Sequence, residues 1–209
     1  MPIRHVFLDM DGVLVDFHHG FQELCGITEP IRGHHWPADK NLHEYIGLDW
    51  DSCRQKAREA TPAFWANMSE TPYGLKIALA CEEFARKIGA HFSVLTDSSD
   101  SRDAGLGKVQ WLHERIPILA PRCCLTTDKT GFANPDCLLI DDTHHVAENF
   151  NKAGGRAIVI PQTWNQWKLA YGSPRSPLIG GLLALAQQHA DDEQFFLYDK
   201  KTHRMYDRG

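Results

Sequence analysis

His5-Val6-Phe7-Leu8-Asp9-Met10-Asp11-Gly12-Val13-Leu14-Val15-Asp16-Phe17 decides how the rest of the chain reads. The short, mostly apolar run 5–8 predicts a strand, and the Asp-Met-Asp-Gly that follows at once predicts a turn. Two carboxylates two positions apart, directly behind a buried strand, can be aimed at one point. Like charges held that close are unfavourable unless a cation neutralises them or one keeps a proton. Oxygen-only ligands favour a hard cation, and Mg2+ suits phosphate chemistry. An isolated Asp-x-Asp is more often an Asp-Gly turn with solvated carboxylates. The weight therefore falls on what stands elsewhere in the chain.

Four further strands are predicted: 91–95 ending in Thr96 and Asp97, a weaker one at 123–126, 137–140 ending in Asp141-Asp142, and 156–160 stopped by Pro161. Helical patterns lie between them. Gly74 to Ile88 places Leu75, Leu79, Phe84 and Ile88 near one face, with Gly89 as C-cap. Lys108 to Arg115 and Thr143 to Ala153 follow, with Thr143 as an N-cap. Strands alternating with helices predict an α/β fold, a Rossmann-like parallel sheet with helices on both faces. Ligands of such sheets gather at the carboxyl ends of the strands. Asp9, Thr96 and Asp142 all stand there.

Residues 17–73 differ. They are rich in His, Trp, Pro and charge, and lack clear strands, with Gln55 to Ala60 the best helix candidate, started by Asp51 or Ser52. The predicted organisation is an α/β core of 1–16 and 74–209, with 17–73 a small, mainly helical cap inserted after strand 1. The charged, aromatic tail from Asp191 predicts a late strand or a packed extension.

Composition excludes some partners. A formal net charge of −5 argues against a nucleic-acid polymer, whose binders usually carry a basic surface. The apolar run 178–186 is too short to span a bilayer, and nothing at the start resembles an export signal, so a cytoplasmic protein without a membrane partner is expected. The six cysteines form no CxxC pair and read as mostly buried small hydrophobes in a reducing compartment. Whether the chain forms a homodimer is left open.

The residue types assign roles. Asp9 can attack phosphorus and Asp11 can handle the proton of the leaving group. A buried strand ending in Asp141-Asp142 needs a cation or good donors to justify its charge. The histidine pairs 18–19, 34–35 and 144–145 read as surface or cap residues, because neighbours on a helix point apart. Trp164 and Trp167 read as core packing after strand five.

The opening stretch resembles the first motif of the haloacid dehalogenase superfamily, and the other motifs follow in order. Val94-Leu95-Thr96 is similar to the second, which implies that Thr96, with Asp97 beside it, binds phosphate. Lys129 in Thr126-Thr127-Asp128-Lys129-Thr130 is similar to the third-motif lysine, with Lys108 as the rival position. Leu138-Leu139-Ile140-Asp141-Asp142 resembles the fourth. The resemblance implies an aspartyl-phosphate intermediate and a Mg2+ site drawing on Asp9, Asp11, Asp141 and Asp142, with Asp11 contributing its carbonyl.

Within that superfamily the chain most resembles the 5′(3′)-deoxyribonucleotidases, through residues 9–17, 126–130 and 138–142. Thr61-Pro62-Ala63-Phe64-Trp65 and Lys108-Val109-Gln110-Trp111-Leu112 are similar to two more of their segments. The resemblance implies a nucleotide substrate, with Phe17, Phe64 and Trp65 around the base; the alternative is that these three pack the cap. Thr127 stands where that family often has arginine, and Asp97-Ser98-Ser99-Asp100 is more acidic than its usual run. A phosphatase for another small phosphomonoester, such as a sugar phosphate or cofactor fragment, and a non-catalytic nucleotide-binding protein are the other readings.

Overall fold

The computed structural model describes residues 2–31, 42–72, 74–160, 162, 164 and 165, and the backbone of 198–199 and 204–205. Five strands, β1 (His5–Leu8), β2 (His91–Asp97), β3 (Cys123–Thr126), β4 (Cys137–Asp141) and β5 (Arg156–Val159), form one sheet in the order β3-β2-β1-β4-β5. Every pairing is parallel. This is the α/β, Rossmann-like sheet that the strand pattern predicts.

Residues on the central strands alternate between two apolar cores, one on each face. Val6, Leu8, Val94, Leu138 and Ile140 belong to the larger core, and Phe7, Leu95 and Leu139 to the smaller. Burial on both faces explains why these strands read as continuous apolar runs. Helix α5 (Gly74–Ile88) packs on β1 and β2, and α7 (His144–Lys152) packs on β4 and β5.

The buried face of α5 is Ile77, Ala78, Cys81, Phe84 and Ala85, whereas Leu75 and Leu79 are exposed. This corrects the face expected from Leu75 and Leu79. Phe84 is buried and Ile88 packs against the core as expected, and the helix turns Ile77, Ala78, Cys81 and Ala85 inward in place of the two leucines. Gly89 ends it at φ +69°, a conformation that glycine takes without a Cβ penalty.

Between β1 and α5 the described residues form α1 (Phe17–Leu24), α2 (Leu42–Ile46), α3 (Trp50–Glu59) and α4 (Pro62–Ala66). Helix α3 starts earlier than Asp51 or Ser52, because the Asp49 side chain accepts from the Ser52 amide at 2.8 Å. The segments that lead into and out of this insertion run side by side. Asp16 N–H donates to the Ser69 carbonyl at 2.9 Å, and Thr71 N–H to the Leu14 carbonyl at 2.9 Å.

Helix α6 (Arg102–Arg115) joins the insertion to the sheet. It buries Ala104, Gly105, Gly107, Lys108, Trp111 and Leu112. Trp111 Nε1 donates to the Met68 carbonyl at 2.8 Å. A Cβ on Gly107 would lie 2.4 Å from the Pro62 carbonyl oxygen and 2.4 Å from Trp65 Cβ, so only glycine lets α4 sit this close.

All six cysteines are free. No helix of the described residues is long and apolar enough to cross a membrane. A two-stranded antiparallel pair, Tyr198–Asp199 with Arg204–Met205, is the described part of the tail. His34, His35 and Trp167 lie outside the described residues.

Candidate active site

Register brings the polar strand ends together. Leu8 pairs with both Val94 and Ile140. The next residue, Asp9, is therefore level with Asp141, while Thr96 and Asp142 stand one step further along their strands. Asp9 N–H donates to the Ile140 carbonyl at 2.8 Å, carrying the pairing into the turn. Oxygens of Asp9, Asp141 and Asp142 all lie within 4.8 Å of one another, and all three residues are buried.

Lys129 starts a short 3₁₀ turn, Lys129–Phe132, behind β3. Asp128 caps that turn by accepting from the Thr130 amide at 2.9 Å, which aims Lys129 inward. Its ammonium lies 2.6 Å from Asp9 Oδ1 and 2.8 Å from Asp141 Oδ2. Burial works against the Lys129 charge, but Asp9 and Asp141 outweigh it and hold the amine protonated. Burial pushes Asp9 up to about 7, against the pull of Lys129 and with help from Asp141 and Asp11. Asp142 is raised well above the usual carboxylate range, by burial first and then by Asp141 and Asp9.

Fully ionised, the three buried acids would outnumber the one ammonium beside them, and that repulsion adds to burial in raising Asp9 and Asp142. An ion with Mg2+–oxygen bonds of about 2.1 Å would put adjacent ligand oxygens about 3 Å apart and opposite ones about 4 Å apart. The acid oxygens lie close enough together to share one cation, and an all-oxygen donor set suits the hardness of Mg2+. No histidine pair forms a comparable cluster among the described residues.

Asp11 belongs to a second half of the site. Its Oδ2 is ion-paired with Lys108, whose side chain is only 1% exposed. The Lys108 ammonium also donates to Thr96 Oγ1 at 3.2 Å and to the Asp97 carbonyl at 2.5 Å. Those three acceptors match its three protons. The other Asp11 oxygen, Oδ1, is buried with no hydrogen-bond partner among the described residues. Both lysines weighed in the sequence thus reach the site, Lys129 at the first acid and Lys108 at the second. The sequence leaves open whether Lys108 joins Lys129 at the phosphate site, and the glycines and alanine beside it on α6 are the local signal that its face is buried.

Asp97 closes β2 with an exposed side chain that accepts the Ser99 amide at 2.5 Å. Ser99 and Asp100 follow at φ 54° and 51°, a left-handed conformation uncommon for non-glycine residues. Arg58 at 2.8 Å and Arg54 at 3.3 Å, both from α3, hold Asp100 Oδ2. The acidic run after Thr96 is therefore a docking point for the inserted helices.

Phe17, Phe64 and Trp65 form one aromatic cluster. Phe17 stacks on Trp65 with ring centres 5.9 Å apart and 13° between planes, and Phe64 meets Trp65 edge-on at 5.2 Å. Phe17 and Phe64 are partly exposed, while Trp65 is fully buried. Trp65 Nε1 has no hydrogen-bond partner among the described residues.

One expectation is corrected on the other side of the site. Trp164 does not merely pack on the core: its Nε1 donates to Asp142 Oδ2 at 2.5 Å, and its ring stacks on His18 at 4.0 Å. His18 belongs to α1 of the insertion, within the surface-or-cap reading, and burial pushes its imidazole down to about 3 and keeps it neutral. Thr143 stands at the N-cap of α7 without a capping bond, and its hydroxyl instead donates to Asp142 Oδ1 at 3.3 Å.

The sequence matches no family model and none of the curated proteins compared with it. Solved structures do resemble it. A haloacid dehalogenase-like family hydrolase from Xanthomonas campestris aligns over 92% of this chain and 95% of its own, with TM-score 0.50 and 13% identity. A hydrolase of that family from Deinococcus radiodurans, with bound phosphate and sodium, aligns over 90% and 97%, with TM-score 0.50 and 15% identity. The fold is that of the haloacid dehalogenase-like hydrolases. A third such hydrolase, from Burkholderia xenovorans, aligns over 90% of this chain and 98% of its own, with TM-score 0.50 and 16% identity. In this haloacid dehalogenase-like fold, the clustered acids occupy the carboxyl ends of the central strands.

Proposed function

We propose that the chain is a Mg2+-dependent phosphomonoesterase that forms a phosphoryl-enzyme on Asp9. The observation that carries this reading is the convergence of Asp9, Asp141 and Asp142, with Lys129 bridging the first two. Asp9, Asp141 and Asp142 would hold the ion through side-chain oxygens, and Asp11 through its carbonyl. The bound ion supplies charge neutralisation between anionic Asp9 and an anionic phosphate.

The rest is done by this chain's own residues. A carboxylate oxygen of Asp9 bonds to phosphorus while the bond from phosphorus to the ester oxygen breaks. This step requires the protonated form of Asp11, which gives that proton to the leaving oxygen and, then a carboxylate paired with Lys108, takes one from the water that cleaves the acyl phosphate. Lys129 and Thr96 offset charge on the transferring group. The inserted helices α1 to α4 serve as the cap that excludes water from the first step. In this reading they belong to a cap unit, and the described residues of 1–16 and 74–209 belong to the core.

The substrate class favoured here is a deoxynucleoside monophosphate. Phe17 and Phe64 keep exposed surface on which a nucleobase can stack, and Trp65 supports both from behind. The complete burial of Trp65 favours a second reading, a smaller phosphomonoester that leaves this cluster closed.

A panel of phosphomonoesters with Mg2+ tests both readings through phosphate release. The nucleotide reading expects dUMP and dTMP to lead the panel. Slow dUMP and dTMP beside a fast sugar phosphate would select the second reading. Absence of release from every ester, with Mg2+ shown to be bound, would remove the phosphatase.

A further inference from the structure

Trp164 hydrogen-bonds an acid of the proposed ion site from beyond the acid cluster. We propose that Trp164 is a positioning residue for Asp142, its indole N–H fixing one carboxylate oxygen so that the other faces the divalent ion. This rests on the Mg2+ reading above and adds to it a residue outside the acid cluster.

Several features of the chain converge on that indole. An indole N–H can only donate, so it supports an acceptor oxygen and cannot compete as a ligand. Gly12, at φ +76°, makes the space: a Cβ there would lie 2.3 Å from Asp142 Oδ2 and 3.0 Å from Trp164 Cζ2. Gln162 Nε2 donates to the Gly12 carbonyl at 2.5 Å, tying the chain after β5 to the first turn. Asn165 Nδ2 donates to the carbonyls of Asp142 and Ile160, each at 2.8 Å, and so ties the residue after Trp164 to the ends of β4 and β5. His18 lies nearly parallel to the indole, 13° between planes, and closes its far side. The ring is thus clamped between the inserted helix α1 and the end of β4.

Hydrogen-bond partners of metal-ligating side chains set the orientation and basicity of the ligand. Losing one costs about 10–100-fold in metal affinity. The Trp164 bond is of this kind. Asp142 takes a second, longer bond from the Thr143 hydroxyl, so removal of Trp164 leaves the carboxylate freer to turn.

Mg2+ binding itself is the test, measured by calorimetry on the full chain. W164F should weaken binding by about 10–100-fold, W164H should recover part of it by restoring a ring N–H, and D142N should abolish it. W164F with native or tighter affinity would overturn the positioning role and leave the phosphatase reading intact. Native protein that fails to bind Mg2+ would overturn both.

Indole N–H resonances give a second readout on the unmutated fold. The chain has six tryptophans, and the Trp164 signal is the one displaced by D142N. Mg2+ should shift that signal in native protein and leave it unmoved in D142N. A signal that ignores Mg2+ in native protein would sink the proposal even if W164F failed to fold.

Discussion

The Lys108 ammonium lies 4.9 Å from the centre of the Trp65 ring while it pairs with Asp11. One buried cation thereby touches an aromatic of the inserted helices and the proposed proton-transfer acid. A desolvated cation–π contact is worth about 2 kcal/mol or more. Seating α4 on α6 and orienting Asp11 are consequently one event. K108M should lower kcat about 100-fold, within the range typical of acid–base groups, with a smaller change in KM. Steady-state kinetics beside a melting curve checks this, and a native kcat would reduce the pair to a structural role.

Gly107 makes that seat close. G107A has to push α4 outward, because the new methyl meets backbone and side chain at 2.4 Å. Overpacking of this kind costs about 1–3 kcal/mol. Each kcal/mol lowers Tm by about 2–4 °C at this chain size. Thermal unfolding measures it. An unchanged Tm would mean that α4 shifts without strain.

The raised carboxyls of Asp9 and Asp142 predict opposite responses to pH with and without Mg2+. An acid whose native pKa is raised binds a proton more readily folded than unfolded. The metal-free protein should therefore lose stability from these groups as pH rises from about 4 towards 7. Mg2+ needs the ionised forms, so its affinity should rise over the same window with proton release. Calorimetry in buffers of different ionisation enthalpy reads the protons directly. Affinity independent of pH between 5 and 7 would contradict it.

Asp9 combines chemistry with a stability penalty. D9N should cut turnover by about 1000-fold or more, since the nucleophile is lost. The same substitution removes a costly buried charge, while Lys129 keeps Asp141 as a partner at 2.8 Å. Metal-free D9N should thus melt no lower than metal-free native protein at pH 7. Near-native turnover in D9N would reject Asp9 as nucleophile.

What could be read in the sequence followed from parallel-sheet geometry. Strands buried on both faces must be apolar throughout, so the polar residues at positions 9, 96, 141 and 142 marked the strand ends, and a parallel sheet puts those ends on one edge. Lys108 was harder to place. The residues around it on α6, Ala104, Gly105 and Gly107, make a buried face of small side chains instead of a large apolar stripe. Trp164 was missed because its partner, Asp142, is 22 positions away and the contact depends on how the chain turns after β5. The face of α5 was misjudged because Leu75 and Leu79 had periodicity in their favour and no sheet beneath them.

The paired segments at 14–16 and 69–71 leave the core and return to it through one hydrogen-bonded gateway. Such closely spaced exit and return points let an inset grow, shrink or be exchanged without rerouting the strands beneath it. Under the proposed function the sheet carries the chemistry and the inset the selectivity, so the two are free to change separately.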